Sequence, residues 1–115
     1  MKTGSEMIAE ERQRQIEVEG HDVTKDVGYY KHGELIGAAS CYAVSALNKL
    51  YYQNNPQSQL DIATLKMWDG EDAWPWTPES DKREKHDVVR SLVIAGALIA
   101  AELDRLNAKE PITTP

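Results

Sequence analysis

The chain has a single cysteine, Cys41, among its 115 residues. One thiol closes no internal disulfide and has no spaced Cys/His partners for zinc. There is no basic block: nineteen acidic against thirteen basic residues leave a net charge of −6, which argues against duplex nucleic acid or an anionic membrane as a partner. No apolar run is long enough to span a bilayer. The nearest, Ser91 to Ala101, is short and rich in Ala and Gly. No N-terminal apolar region precedes a small-residue cleavage site, so the expected location is the cytoplasm. Phosphate loops and the His-Glu-x-x-His pattern are missing as well, and no strand alternation, repeat or low-complexity run is present. What remains is a composition of 41% hydrophobic and 28% charged residues, ordinary for a soluble globular protein. The length suits one domain over residues 1–115, able to bury roughly 65% of the surface of its unfolded chain.

The hydrophobic spacing predicts an all-α helical bundle of three to four helices, with an aromatic, Pro-rich connection before the last. Ser5 is a candidate N-cap, and Thr3-Gly4-Ser5-Glu6 reads as a capping box. Strong helix formers run from Glu6 to Glu19, and Gly20 supplies a stop. This first helix is odd: Ile8 and Ile16 mark its inward face, yet Glu11, Arg12, Gln15 and Glu19 share it. Such a stripe lies at the rim of a core or faces a polar interior site. His21 to Lys31 reads as an ordered loop. A central helix starts near Gly33, with Leu35, Ala38, Ala39, Tyr42, Ala43, Ala46, Leu47 and Leu50 at helical spacing, and ends at Asn54-Asn55-Pro56. Gln57 to Trp68 is a candidate short helix. Trp74-Pro75-Trp76-Thr77-Pro78 cannot be regular helix, because its prolines remove donors and restrict their predecessors. The last helix is expected from about Ser80 to Asn107, on a stripe of Val89, Leu92, Val93, Gly96, Ile99, Ala100, Leu103 and Leu106, with residues 109–115 as a frayed tail. Apolar faces on only three good helices suggest that a second subunit covers one of them, so a homo-oligomer is expected.

Chemistry is carried by carboxylates beside apolar stripes. Glu34 lies in the first turn of the central helix, where its ordinary role is to complement the helix dipole. Glu11 with Gln15 at i+4 is otherwise a solvated face, and Glu102 sits in an apolar run within reach of Arg105 or Arg90. If the first two helices pack as an antiparallel pair, Glu34 comes beside Gln15 to Glu19. An antiparallel last helix then brings Glu102 towards Glu34, and a parallel one brings Asp87 and Arg90. Converging carboxylates repel unless a hard cation neutralises them, and Mg²⁺ suits oxygen-only sites that also bridge substrate phosphates. Trp74 and Trp76 offer planes on which a base could stack; otherwise they cap the end of the core. The histidines, His21, His32 and His86, are scattered, and a Ser40/His32/Asp26 set has no elbow or strand to support it. A single-strand binder using the tryptophan segment is disfavoured by the net charge.

Several segments come in a familiar order: Glu11-Arg12-Gln13-Arg14-Gln15-Ile16, Glu19-Gly20, Gly33-Glu34-Leu35 with Ala38-Ala39 and Cys41-Tyr42-Ala43, Trp74-Pro75-Trp76, Arg90-Ser91-Leu92-Val93, Ala95-Gly96-Ala97-Leu98-Ile99 and Glu102-Leu103-Asp104-Arg105-Leu106. Over roughly residues 8 to 107 they resemble a family of small phage and prophage proteins. That family is related to the N-terminal domain of phage dATP/dGTP diphosphohydrolases and, beyond it, to the MazG-like all-α nucleoside triphosphate pyrophosphohydrolases. The resemblance implies Mg²⁺-dependent cleavage of a nucleoside triphosphate to monophosphate and pyrophosphate by an oligomeric bundle, in the host cytoplasm. It implies Glu11 and Glu34 as catalytic metal ligands, Gln15 and Glu19 beside them, and Asp87 or Glu102 in support. Arg14 and Arg90 would bind phosphate, and Trp74 and Trp76 would bound the base pocket. Two metal positions of the MazG pattern carry no acid here. Arg14 or Gln15 stands at the third acidic position of the first motif, and Gly37 stands where the second has Asp. A non-catalytic helical module binding a protein partner is the alternative expectation.

Overall fold

The structure, a computed structural model, describes residues 1–19, 33–54 and 72–109. The expected loop His21–Lys31, the short helix Gln57–Trp68 and the tail from residue 110 lie outside the described residues. Among the described residues three α-helices organise the chain: α1 (Gly4–Glu19), α2 (Glu34–Asn54) and α3 (Val88–Lys109). Two single 3-10 turns, Pro78–Ser80 and Arg83–Lys85, precede α3. The fold is an all-α helical bundle. Among the described residues no helix is long and apolar enough to cross a membrane.

The capping box Thr3–Glu6 forms at the start of α1, with Thr3 rather than Ser5 as the capping side chain. Glu6 N–H donates to Thr3 Oγ1 at 3.2 Å, and Thr3 N–H donates to Glu6 Oε1 at 2.7 Å, so two donors of the first turn are satisfied reciprocally. Before α2 the chain turns through Gly33 at φ +89°, a conformation that a Cβ would strain.

The core is the α2–α3 pair. Leu35, Ala38, Ala39 and Tyr42 of α2 pack with Ile94, Ala95, Leu98 and Ala101 of α3, and Trp74 and Trp76 lean on this cluster. Lys49, well along α2, donates to the carbonyls of Arg83 and His86, just ahead of α3. The start of α3 therefore lies beside the later part of α2, and the two helices run antiparallel.

Three expectations are corrected. First, α3 begins at Val88, not near Ser80: residues 78–80 and 83–85 form separate 3-10 turns, and Arg83 is bonded to Asp81 and Asp72. Asp87 is the true cap: its Oδ1 accepts from Arg90 N–H at 2.8 Å. Second, α1 packs on α3 rather than forming an antiparallel pair with α2. Arg12, buried in this contact, donates through Nε and Nη2 to Asp104 Oδ2, each at 3.3 Å, and Ile8 rests on Gly96. Third, the buried face of α3 is Ser91, Val93, Ile94, Ala95, Ala97, Leu98, Ala101 and Arg105. Val89, Leu92, Ile99, Leu103 and Leu106, expected inside, are exposed. On α2, Leu47 and Leu50 are likewise exposed.

A Cβ at Gly96 would lie 2.5 Å from Ile8 Cδ1, so glycine there sets how closely α1 approaches α3. Gly96→Val should destabilise the protein by about 1–3 kcal/mol through overpacking. Adding Ile8→Ala should return part of that loss, a non-additivity readable by urea denaturation of both single variants and the double.

Candidate functional site

Between α1, α3 and the Trp74–His86 segment lies a cavity of about 940 Å³, in the upper part of the range of small-molecule sites, about 300–1,000 Å³. One part is apolar and aromatic: Tyr42, Trp74, Pro75, Trp76, Ile94 and Leu98. The other carries Arg14, Lys82 and Arg90 with His86, against one described carboxylate, Glu11.

Glu11 is 3% exposed. A carboxylate so buried needs partners, and it has three. Arg14, one turn on, donates through Nε and Nη2 to both of its oxygens at 2.8 Å. Arg90 of α3 donates to Oε1 at 2.6 Å, and Gln15 Nε2 donates to Oε2 at 3.1 Å. Burial alone would push the carboxyl pKa up. The hydrogen bonds and charges of Arg14 and Arg90 outweigh it and hold the group below the ordinary 4.5. Glu11 is thus ionised at neutral pH and compensated by arginines from two helices.

The aromatic wall is braced from behind. The Trp74 indole N–H donates to Thr77 O at 3.1 Å and Ser80 Oγ at 3.3 Å. The Arg83 guanidinium lies over the Trp74 ring, 5.2 Å from its centre. Trp76 and Tyr42 both meet Trp74 edge-on, at 5.6 and 5.7 Å between centres. Arg83 is itself buried. It donates through Nε to Asp81 Oδ1 at 2.8 Å and through Nη2 to Asp72 Oδ2 at 3.1 Å. These bonds hold the carboxyl of Asp81 below its ordinary range, and that of Asp72 too against the opposite pull of burial. Burial, with Arg90, Lys85 and Lys49 nearby, pushes His86 down, so its imidazole is neutral at pH 7. Burial raises the Cys41 thiol, which leaves it a weak nucleophile.

The structure brings together six of the residues singled out in the sequence: Glu11, Arg14, Gln15, Arg90, Trp74 and Trp76 all line the cavity. The others are not among the described lining residues. Glu34 opens α2 in its first turn and is not on the cavity's described lining. Asp87 caps α3. Glu102 is held by Arg105 through two bonds of 2.8 and 2.9 Å, its ordinary reading. Glu19 ends α1. Among the described residues no three His, Cys, Asp or Glu side chains come together to hold a metal ion. The sequence reading missed Lys82 and Arg83, which it placed at the start of a helix. The signal was Asp72 and Asp81 on either side of the tryptophans, two acids for one buried guanidinium.

No family model matches the chain, nor does any curated protein or solved structure.

The lowered pKa of Glu11 makes a signed prediction. A carboxyl depressed by folding adds stability above its unfolded value near 4.5, and that stability is lost as the pH falls through the lower folded value. Wild type should therefore lose more stability than Glu11→Gln between about pH 6 and about pH 3, the two curves converging at the acid end. Chemical denaturation across that range measures it.

Proposed function

We propose that this protein binds a nucleoside triphosphate in the cavity, the base against Trp74 and Trp76 and the phosphates on Arg14, Lys82 and Arg90. The carrying observation is the composition of the cavity's described lining: an aromatic wall beside three cations and one already neutralised carboxylate, in a chain of net charge −6. Arg90 spends a single N–H on Glu11, and a guanidinium has five in a planar fork, so the others are available to phosphate oxygens. Trp74, whose N–H is committed to Thr77 and Ser80, offers a base only its π surface, the sequence-tolerant mode of contact. The resemblance to phage and MazG-like pyrophosphohydrolases implies the same ligand class and a phage or prophage origin, with the host cytoplasm as the place of action.

That resemblance also implies Mg²⁺. The described residues do not fit it: Glu11 is the one acid on the cavity, its oxygens are taken by Arg14, Arg90 and Gln15, and Glu34 stands apart from the lining. The reading is accordingly binding, and hydrolysis to monophosphate and pyrophosphate is tested beside it. Each dNTP titrated into the protein, with and without Mg²⁺, should give saturable tryptophan quenching that weakens with salt. Lys82→Met should lower the affinity about two- to fivefold, the value of one exposed charge contact. Absence of binding by every dNTP would sink the proposal. Pyrophosphate release abolished by Glu34→Gln would restore the metal-centred account.

A second reading, a homo-oligomer or helical interaction module, rests on α3. Val89, Leu92, Ile99, Leu103 and Leu106 are exposed on either side of Gly96, where Ile8 of α1 already lies. A second copy would cover these apolar groups by presenting the same surface in return. In sedimentation at micromolar concentration, wild type should run larger than Leu103→Glu/Leu106→Glu. A monomeric wild type would remove this reading.

A further inference from the structure

Gln15 lines the cavity one turn after Glu11 and is 3% exposed. Its amide has a fixed orientation. Nε2 donates to Glu11 Oε2, and an ionised carboxylate only accepts, so a flipped amide would set oxygen against oxygen. The other end, Oε1, is buried and has no hydrogen-bond partner among the described residues. A buried acceptor left so is costly, and an amide with a purely structural role would use both ends. Two nearby donors of the wall are directed elsewhere: the Trp74 N–H to Thr77 and Ser80, and the Ser80 O–H to the Thr77 carbonyl. An ionised triphosphate brings acceptors only and cannot satisfy Oε1. The neutral part of a nucleotide can.

We propose that Gln15 is the specificity-determining residue of the cavity: its Oε1 accepts a hydrogen bond from a base N–H or a sugar O–H of the bound nucleotide. This rests on the nucleotide reading above and sharpens it, because the arginines and lysine then hold the charged end while Gln15 reads the uncharged one. A site built around such an acceptor discriminates strongly against ligands that lack the donor.

The test uses the full chain, wild type and Gln15→Met, a side chain of similar length without the acceptor. The probes are the four dNTPs, the dideoxy form of each, purine deoxyriboside triphosphate (whose base bears no N–H) and inorganic tripolyphosphate. Gln15→Met should weaken the tightest dNTP about tenfold or more and leave tripolyphosphate within about twofold. In wild type alone, the same loss should appear either with the dideoxy form, which assigns the donor to the sugar, or with the N–H-free base, which assigns it to the base. That loss should vanish in Gln15→Met. Equal dNTP affinities in the two proteins overturn the inference and leave the nucleotide reading standing. So does a wild type indifferent to both kinds of analogue, a measurement that needs no variant to fold. Equal weakening of tripolyphosphate and dNTP makes Gln15 a structural amide and overturns it too. A wild type that holds tripolyphosphate and no dNTP overturns the nucleotide reading, and this inference with it.

Discussion

The arrangement around Glu11 is the constraint on which the docking of α1 depends. A carboxylate nearly closed off from water is tolerable only where its charge is answered, and here the answer comes from two helices: Arg14 on α1 and Arg90 on α3. Removing one partner of a buried pair typically costs about 3–5 kcal/mol, against a total stability of about 5–15 kcal/mol for a domain. Both guanidiniums keep roughly two fifths of their side-chain surface in water, so the cost here falls towards the lower end. The bond to Arg90 nevertheless ties α1 to the first turns of α3, while Arg12 ties it to Asp104 further along. Between these two anchors Ile8 settles on Gly96. The polar stripe of α1 is thus the reason it packs as it does.

The same logic shapes the segment before α3. Arg83 is buried with Asp81 and Asp72 on its guanidinium and the Trp74 ring beneath it. A helix starting near Ser80 would carry Asp81 and Arg83 round its axis, away from each other's reach, since neighbours on a helix surface are three or four residues apart. Two 3-10 turns allow a contact at i+2, and Lys49 takes up the carbonyls of Arg83 and His86 that those turns leave without helical partners. The aromatic wall of the cavity is held by ion pairs on its outer side, which leaves the inner side for a ligand.

Much of this was legible in the sequence. The three long helices, the central place of the Leu35–Ala46 face and the inward polar face of α1 follow from spacing and composition, because helix formers and period act locally. The cavity's two arginines and its tryptophans were nameable as chemistry, whereas Lys82 was not. Their grouping was not, since it depends on α1 lying on α3, and that follows from Arg12, Glu11 and Ile8 meeting residues some 80–90 positions away. Glu34 shows the converse. Its place in a first turn is a local fact and held, whereas its expected meeting with α1 assumed that consecutive helices pack together.

The face that α3 buries is the sharpest case. Both sides of this helix are apolar, so hydrophobic periodicity could not choose between them. Fully burying a Leu or Ile is worth about 1.5–3 kcal/mol, and on that count alone the side with Leu92, Ile99, Leu103 and Leu106 should have turned inward. Volume decides otherwise. The buried side of α2 is largely alanine, with Ala38, Ala39 and Ala46, and it can be filled only by a partner that comes close. Ala95, Ala97 and Ala101 permit that approach, and Ile94 and Leu98 fill what is left beside Tyr42. Large side chains facing that alanine surface would hold the helices apart and lose the dispersion contacts that close packing supplies along the whole pair. The small residues fix which face is core, and the large ones are left on the outside as a consequence of that fit.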